Sequence, residues 1–102
     1  VETINSENWN VVSEKPVAVV EFFSQWCAPC KKQKEVLNQI SQKMNDIFMA
    51  QVDIEENSAL TDKLGVRSVP TTILLKKGEE KKRFVGSCSK ETIEKELAQV
   101  AV

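Results

Sequence analysis

Val17-Ala18-Val19-Val20-Glu21-Phe22-Phe23, followed two residues later by Trp26-Cys27-Ala28-Pro29-Cys30-Lys31, is the stretch on which the fold turns. Residues 17–23 are apolar at both alternating sets of positions, the pattern of a strand covered by helices on both faces. Only Glu21 breaks it. From Ala28 the period changes: Val36, Leu37, Ile40 and Met44 share one helical face, with Lys32, Lys34, Glu35 and Lys43 mainly elsewhere. A buried strand thus hands over to a helix at a Cys-x-x-Cys. The first sulfur should lie near the unsatisfied N–H groups of the helix start, where the dipole favours a thiolate. The two-residue gap lets the sulfurs meet within one turn, and Pro29 presets part of its backbone. The plainer reading is a pair of buried apolar cysteines, but the place of the pair at a strand–helix junction favours redox use.

Working outward, Ser6 suits the N-cap of a first helix over Glu7 to Val12, and Pro16 releases the chain into the strand. A second apolar run, Ile47 to Val52, is followed by a brief helix capped by Asn57 or Ser58 and stopped at Leu64-Gly65. Strand, helix and strand in that order imply a parallel pair. After Pro70, Thr71 to Leu75 reads as a strand. The loop Lys76-Lys77-Gly78-Glu79-Glu80 returns it to Arg83-Phe84-Val85, a hairpin of the longer kind. Ser89 is the expected N-cap of a last amphipathic helix with Ile93, Leu97 and Val100 inward. The expectation is one α/β domain over residues 1–102, with a central mixed β-sheet flanked by helices.

At 102 residues the chain supports one core. With 14 basic against 15 acidic residues and no basic stripe, nothing resembles a nucleic-acid footprint. The longest apolar runs fall far short of the roughly 18 residues needed to span a bilayer, and no signal-peptide pattern opens the chain. The expectation is a cytoplasmic monomer that engages neither nucleic acid nor membrane. The chain opens at Val1, which leaves both a removed initiator Met and a trimmed leader open. Three cysteines without histidine make a poor zinc set and no secreted disulfide framework, so no metal and no organic cofactor is expected.

Trp26-Cys27-Ala28-Pro29-Cys30-Lys31 closely resembles the Trp-Cys-Gly-Pro-Cys-Lys signature of thioredoxins. Val20 to Phe23 resembles the strand before that signature, Gly65 to Thr71 the substrate-facing proline loop, and Phe84-Val85-Gly86 the glycine segment beside the active site. The resemblance covers essentially the whole chain. It implies the thioredoxin fold and a protein disulfide reductase working through a redox-active Cys27–Cys30 pair. Cys27 would be the nucleophile and Cys30 the resolving thiol. Disulfide-containing target proteins and a separate thioredoxin reductase would be the partners. Pro70 would be cis, Val69 would bind the target through its backbone, and Trp26, Ala28, Pro29 and Gly86 would belong to the contact surface. The rivals are a thioredoxin-fold oxidant or isomerase, a trimmed redox domain of an exported protein, a binding module using the fold as scaffold, and a cluster shared between two chains.

Some positions depart from the family. Glu21 stands where thioredoxins usually carry a buried Asp, and burial should raise its pKa and suit it to accept the Cys30 proton, the alternative being a structural Glu. Gln51 stands where many members place a Lys, a loss that should push Glu21 further up. Ala28 replaces the usual Gly, and Glu35 replaces a helix-kinking proline. Cys88 precedes Ser89 and lies five residues ahead of Ile93, the spacing of a hydrophobic staple; a regulatory or partner-linking thiol is the other reading. Trp9 reads as packing, and Lys31 and Lys32 as a solvated face.

Overall fold

The computed structural model describes residues 1–101. Its sheet has five strands among the described residues: β1 (Glu2–Thr3), β2 (Val17–Phe23), β3 (Phe48–Asp53), β4 (Thr71–Lys76) and β5 (Glu79–Val85), in the order β1-β3-β2-β4-β5. β3 runs parallel to β1 and β2, while β4 is antiparallel to both β2 and β5. The sheet is therefore mixed, as expected. Among the described residues three α-helices flank it, α1 (Ala28–Lys43), α2 (Ser58–Lys63) and α3 (Lys90–Val100), with a 3₁₀ helix over Trp9–Glu14.

The alternation within β2 sorts the core into two layers. Ala18, Val20 and Phe22 face one side with Ala50, Val52, Ile73 and Leu75, under Val12 and Leu60. Trp9 packs there too, its ring centroid 6.1 Å from that of Phe22. Val17 and Val19 face the other side with Met49 and Leu74, against Leu37 and Ile40 of α1 and Ile93 and Leu97 of α3. Each of the larger side chains here, Val, Leu, Ile, Met or Phe, contributes about 1.5–3 kcal/mol when fully buried. Continuing the alternation toward the C-terminal end of β2 turns the second layer polar, because Glu21, Gln51 and Thr72 occupy the next same-face positions.

The opening segment departs from its sequence reading. Ser6 does not cap a helix: its N–H and hydroxyl both donate to Asn57 Oδ1, at 2.9 and 3.1 Å. Asn5 Oδ1 instead accepts from the N–H groups of Glu7 and Asn8, and Asn8 Oδ1 from that of Asn5. This side-chain-locked turn delays the start of the first helix to Trp9, and that helix is 3₁₀. The hairpin is also tighter than the long loop expected. Lys76 pairs with Glu79 across the two residues Lys77 and Gly78, whose φ values of 52° and 84° are both left-handed. At Gly78 an added Cβ would sit 2.8 Å from Ser13 Cβ. Strand β1 had no sequence signal, and β3 lies one residue later than read. Ser89 caps α3 as expected, its Oγ accepting from the Thr92 N–H at 3.2 Å.

Candidate active site

Cys27 and Cys30 form a disulfide with their Cα atoms 5.3 Å apart. Cys27 is the N-cap of α1 in an extended conformation, and the Cys30 N–H donates to its Sγ at 3.1 Å. The helix thus offers one of its orphan amides to the sulfur. A thiolate on Cys27 would gain that hydrogen bond together with the positive end of the helix dipole. The two cysteines differ in access: Cys27 is half-buried, whereas Cys30 is 3% exposed. Trp26, next to Cys27, is 88% exposed, an indole left uncovered by the chain's own packing.

The proline loop is held from several sides. The Val69–Pro70 bond is cis. The Pro70 carbonyl accepts from the Gly86 N–H at 2.8 Å, which brings the glycine segment to the proline, and Thr71 Oγ1 donates to the Ser68 carbonyl at 2.7 Å. Gly86 has a φ of 90°, a conformation glycine adopts without a side-chain penalty. At the other end of the loop, Arg83 on β5 donates to the carbonyls of Leu64 and Gly65, at 2.7 and 3.2 Å, and pairs with Glu80. Sequence reasoning missed the tie that Arg83 makes to the loop, since the two carbonyls it reaches lie 18 and 19 residues away.

Beneath α1, Glu21 is wholly buried. Among the described residues, the buried side-chain oxygens without a hydrogen-bond partner are both carboxyl oxygens of Glu21 and Oγ1 of Thr72. Glu21 lies in register with Gln51 on one side and Thr72 on the other. Burial raises its pKa to about 8, with the positive charge of Lys34 opposing the rise. The upward shift agrees with the sequence reading, in which Gln51 supplies no cation; a different one, Lys34 of α1, opposes part of the rise. Lys34 was read only as part of the polar helix face, and periodicity alone carries no signal that its charge reaches the carboxylate.

Lys34, Lys31, Cys30, Gln51, Phe23, Ser24 and Gln25 line a cleft of about 300 Å³. Farther along α1, the buried Gln33 donates through Nε2 to the Cys88 carbonyl at 3.2 Å and accepts from the Cys88 N–H at 2.9 Å. Cys88 itself packs against the layer containing Ile93, as a staple does. Burial pushes its thiol up, helped by the charge of Glu21 and opposed by a hydrogen bond with Gln33. No cluster of histidine, cysteine and carboxylate side chains suited to a metal occurs among the described residues, and no helix there is long and apolar enough to cross a membrane.

Comparison with known proteins gives one consistent answer. The family profile described as Thioredoxin matches residues 1–99. A thioredoxin of Chlamydia caviae is 32% identical over 93 residues, 91% of each chain. A thioredoxin of Mycobacterium tuberculosis is 38% identical over 89 residues, 86% of this chain and 76% of that one. Among solved structures, a mutant thioredoxin of Halobacterium salinarum superposes with a TM-score of 0.87 at 28% identity, covering 99% of this chain and 92% of its own. A Nicotiana alata thioredoxin gives 0.84 at 32%, covering 96% and 91%.

Proposed function

The chain belongs to the thioredoxin family, and from that premise we propose how its residues divide the work. It is a thiol–disulfide oxidoreductase that performs dithiol–disulfide exchange through Cys27 and Cys30. In the proposed cycle the Cys27 thiolate attacks a target disulfide, forming a mixed disulfide as the target's other sulfur leaves. Cys30 then gives its proton to Glu21 and attacks Cys27 Sγ, which frees the reduced target and closes the Cys27–Cys30 disulfide. A separate thioredoxin reductase restores the dithiol.

Trp26, Ala28, Pro29, the Val69 backbone, Pro70 and Gly86 form the surface on which the target lies, residues 1–102 make one thioredoxin domain, and the working form is a cytoplasmic monomer. The observation that carries the assignment of roles is the difference in access: the half-buried N-cap sulfur of Cys27 can meet a protein substrate, and the enclosed one of Cys30 cannot.

The test is reduction of insulin disulfides followed by turbidity, with dithiothreitol as electron source. The natural chain should accelerate precipitation, and neither Cys27→Ser nor Cys30→Ser should. Cys30→Ser should accumulate a mixed disulfide with its target, detectable as a mass adduct. An adduct formed by Cys27→Ser instead would reverse the roles.

A further inference from the structure

The buried carboxyl group of Glu21 has no hydrogen-bond partner, so its ability to carry charge depends on what faces it across space. Each packed element contributes something different. From β4 comes the neutral hydroxyl of Thr72, and from β3 the neutral amide of Gln51, whose Nε2 is engaged with Thr3 Oγ1 at 2.8 Å. Asp53, the next same-face residue of β3, accepts from Gln25 and from the Glu55 N–H. The segment before α3 brings the Cys88 thiol, which feels the Glu21 charge. Only α1 brings cations, Lys31 and Lys34, to the cleft shared with Cys30 and Gln51. Of these two, Lys34 acts on Glu21. Lys34 is half-buried and makes no salt bridge among the described residues.

We propose that Lys34 is a positioning residue for the second half-reaction: from the cleft beside Cys30 and Gln51, its ammonium group supplies the positive charge that lets Glu21 ionise and receive the Cys30 proton. The proposal rests on the assignment of Glu21 as proton acceptor. In that step the Cys30 S–H bond breaks and its proton passes to a Glu21 oxygen. The Cys30 thiolate then forms a bond to Cys27 Sγ, and the target sulfur departs with the electron pair of the broken bond.

The experiment mixes the fully reduced chain with excess dithiobis(nitrobenzoate) and follows thiolate release by stopped flow from about pH 6 to 9. The first phase, attack by Cys27, depends on reagent concentration; the second, resolution by Cys30, does not. Lys34→Gln should move the midpoint of the second phase upward by roughly half to one pH unit, slowing resolution about three- to tenfold near neutral pH. Lys34→Arg should keep the natural profile. Adding Gln51→Lys to Lys34→Gln should restore it by returning a cation to the same cleft, which a merely structural role for Lys34 would not allow. Glu21→Gln separates the two claims. If it removes the rising limb while Lys34→Gln leaves the midpoint unmoved, the role of Lys34 is overturned and that of Glu21 stands. A limb that survives Glu21→Gln overturns both.

Discussion

Replacing Glu21 with Gln should stabilise the oxidised chain by an amount that grows with pH. The carboxyl group has a pKa raised from 4.5 to about 8 in the folded protein. Below 4.5 it is protonated in both folded and unfolded chains and costs nothing extra. Between the two values the unfolded chain has lost its proton while the folded chain keeps it, so stability falls by about 1.36 kcal/mol per pH unit. Above about 8 both are ionised and the loss levels off. At pH 7 the difference is about 3 kcal/mol, and at the plateau about 5 kcal/mol, both on the order-of-magnitude scale of the shift. Glu21→Gln removes the titration while keeping a neutral polar side chain of similar volume. Urea unfolding of both proteins across this pH range should give curves that coincide near pH 4.5 and diverge above it. Parallel curves would refute the reasoning, because they would mean that Glu21 titrates alike in folded and unfolded chains.

Two further outcomes follow from the backbone geometry. Gly78→Ala places a Cβ at a φ of 84° and within 2.8 Å of Ser13 Cβ. It should cost at least about 1–2 kcal/mol in urea unfolding, and an unchanged midpoint would show that the hairpin relaxes freely. Arg83→Gln removes the tie from β5 to the carbonyls of Leu64 and Gly65 at the head of the proline loop. It should raise KM for insulin several-fold with little change in the reaction of Cys27 with dithiobis(nitrobenzoate). Equal losses in both assays would refute a role confined to the loop.

What the sequence made legible was whatever is periodic or contiguous. Strand β2 and the start of α1 read correctly because an unbroken apolar run gives way to helical spacing from Ala28. The staple of Cys88 and the cap of Ser89 read correctly because their partners lie within a few residues. The cis bond before Pro70 came only from family resemblance, since isolated X-Pro bonds are mostly trans. Ser6 misled because its preferred partner, Asn57, lies 51 residues away and outcompetes a local cap. The hairpin misled because Lys77 takes a left-handed φ of 52°, which sequence rules reserve for Gly, Asn or Asp. β1 is two residues long and has no pattern to detect. Within the site, the cysteines and Glu21 could be named from position. The influence of Lys34 on Glu21 depends on how a helix side chain sits across a cleft from the sheet, which spacing does not encode.

The pairing of Gln33 with the backbone of Cys88 has a consequence for how the site behaves as pH changes. A side-chain amide here stands in for a peptide group, completing one rung of a ladder between α1 and the chain entering α3. Both groups are neutral at every working pH, so the rung holds whether Glu21 carries a proton or a charge. One helical turn beyond Cys30, α1 is thereby braced by a joint that is blind to acidity.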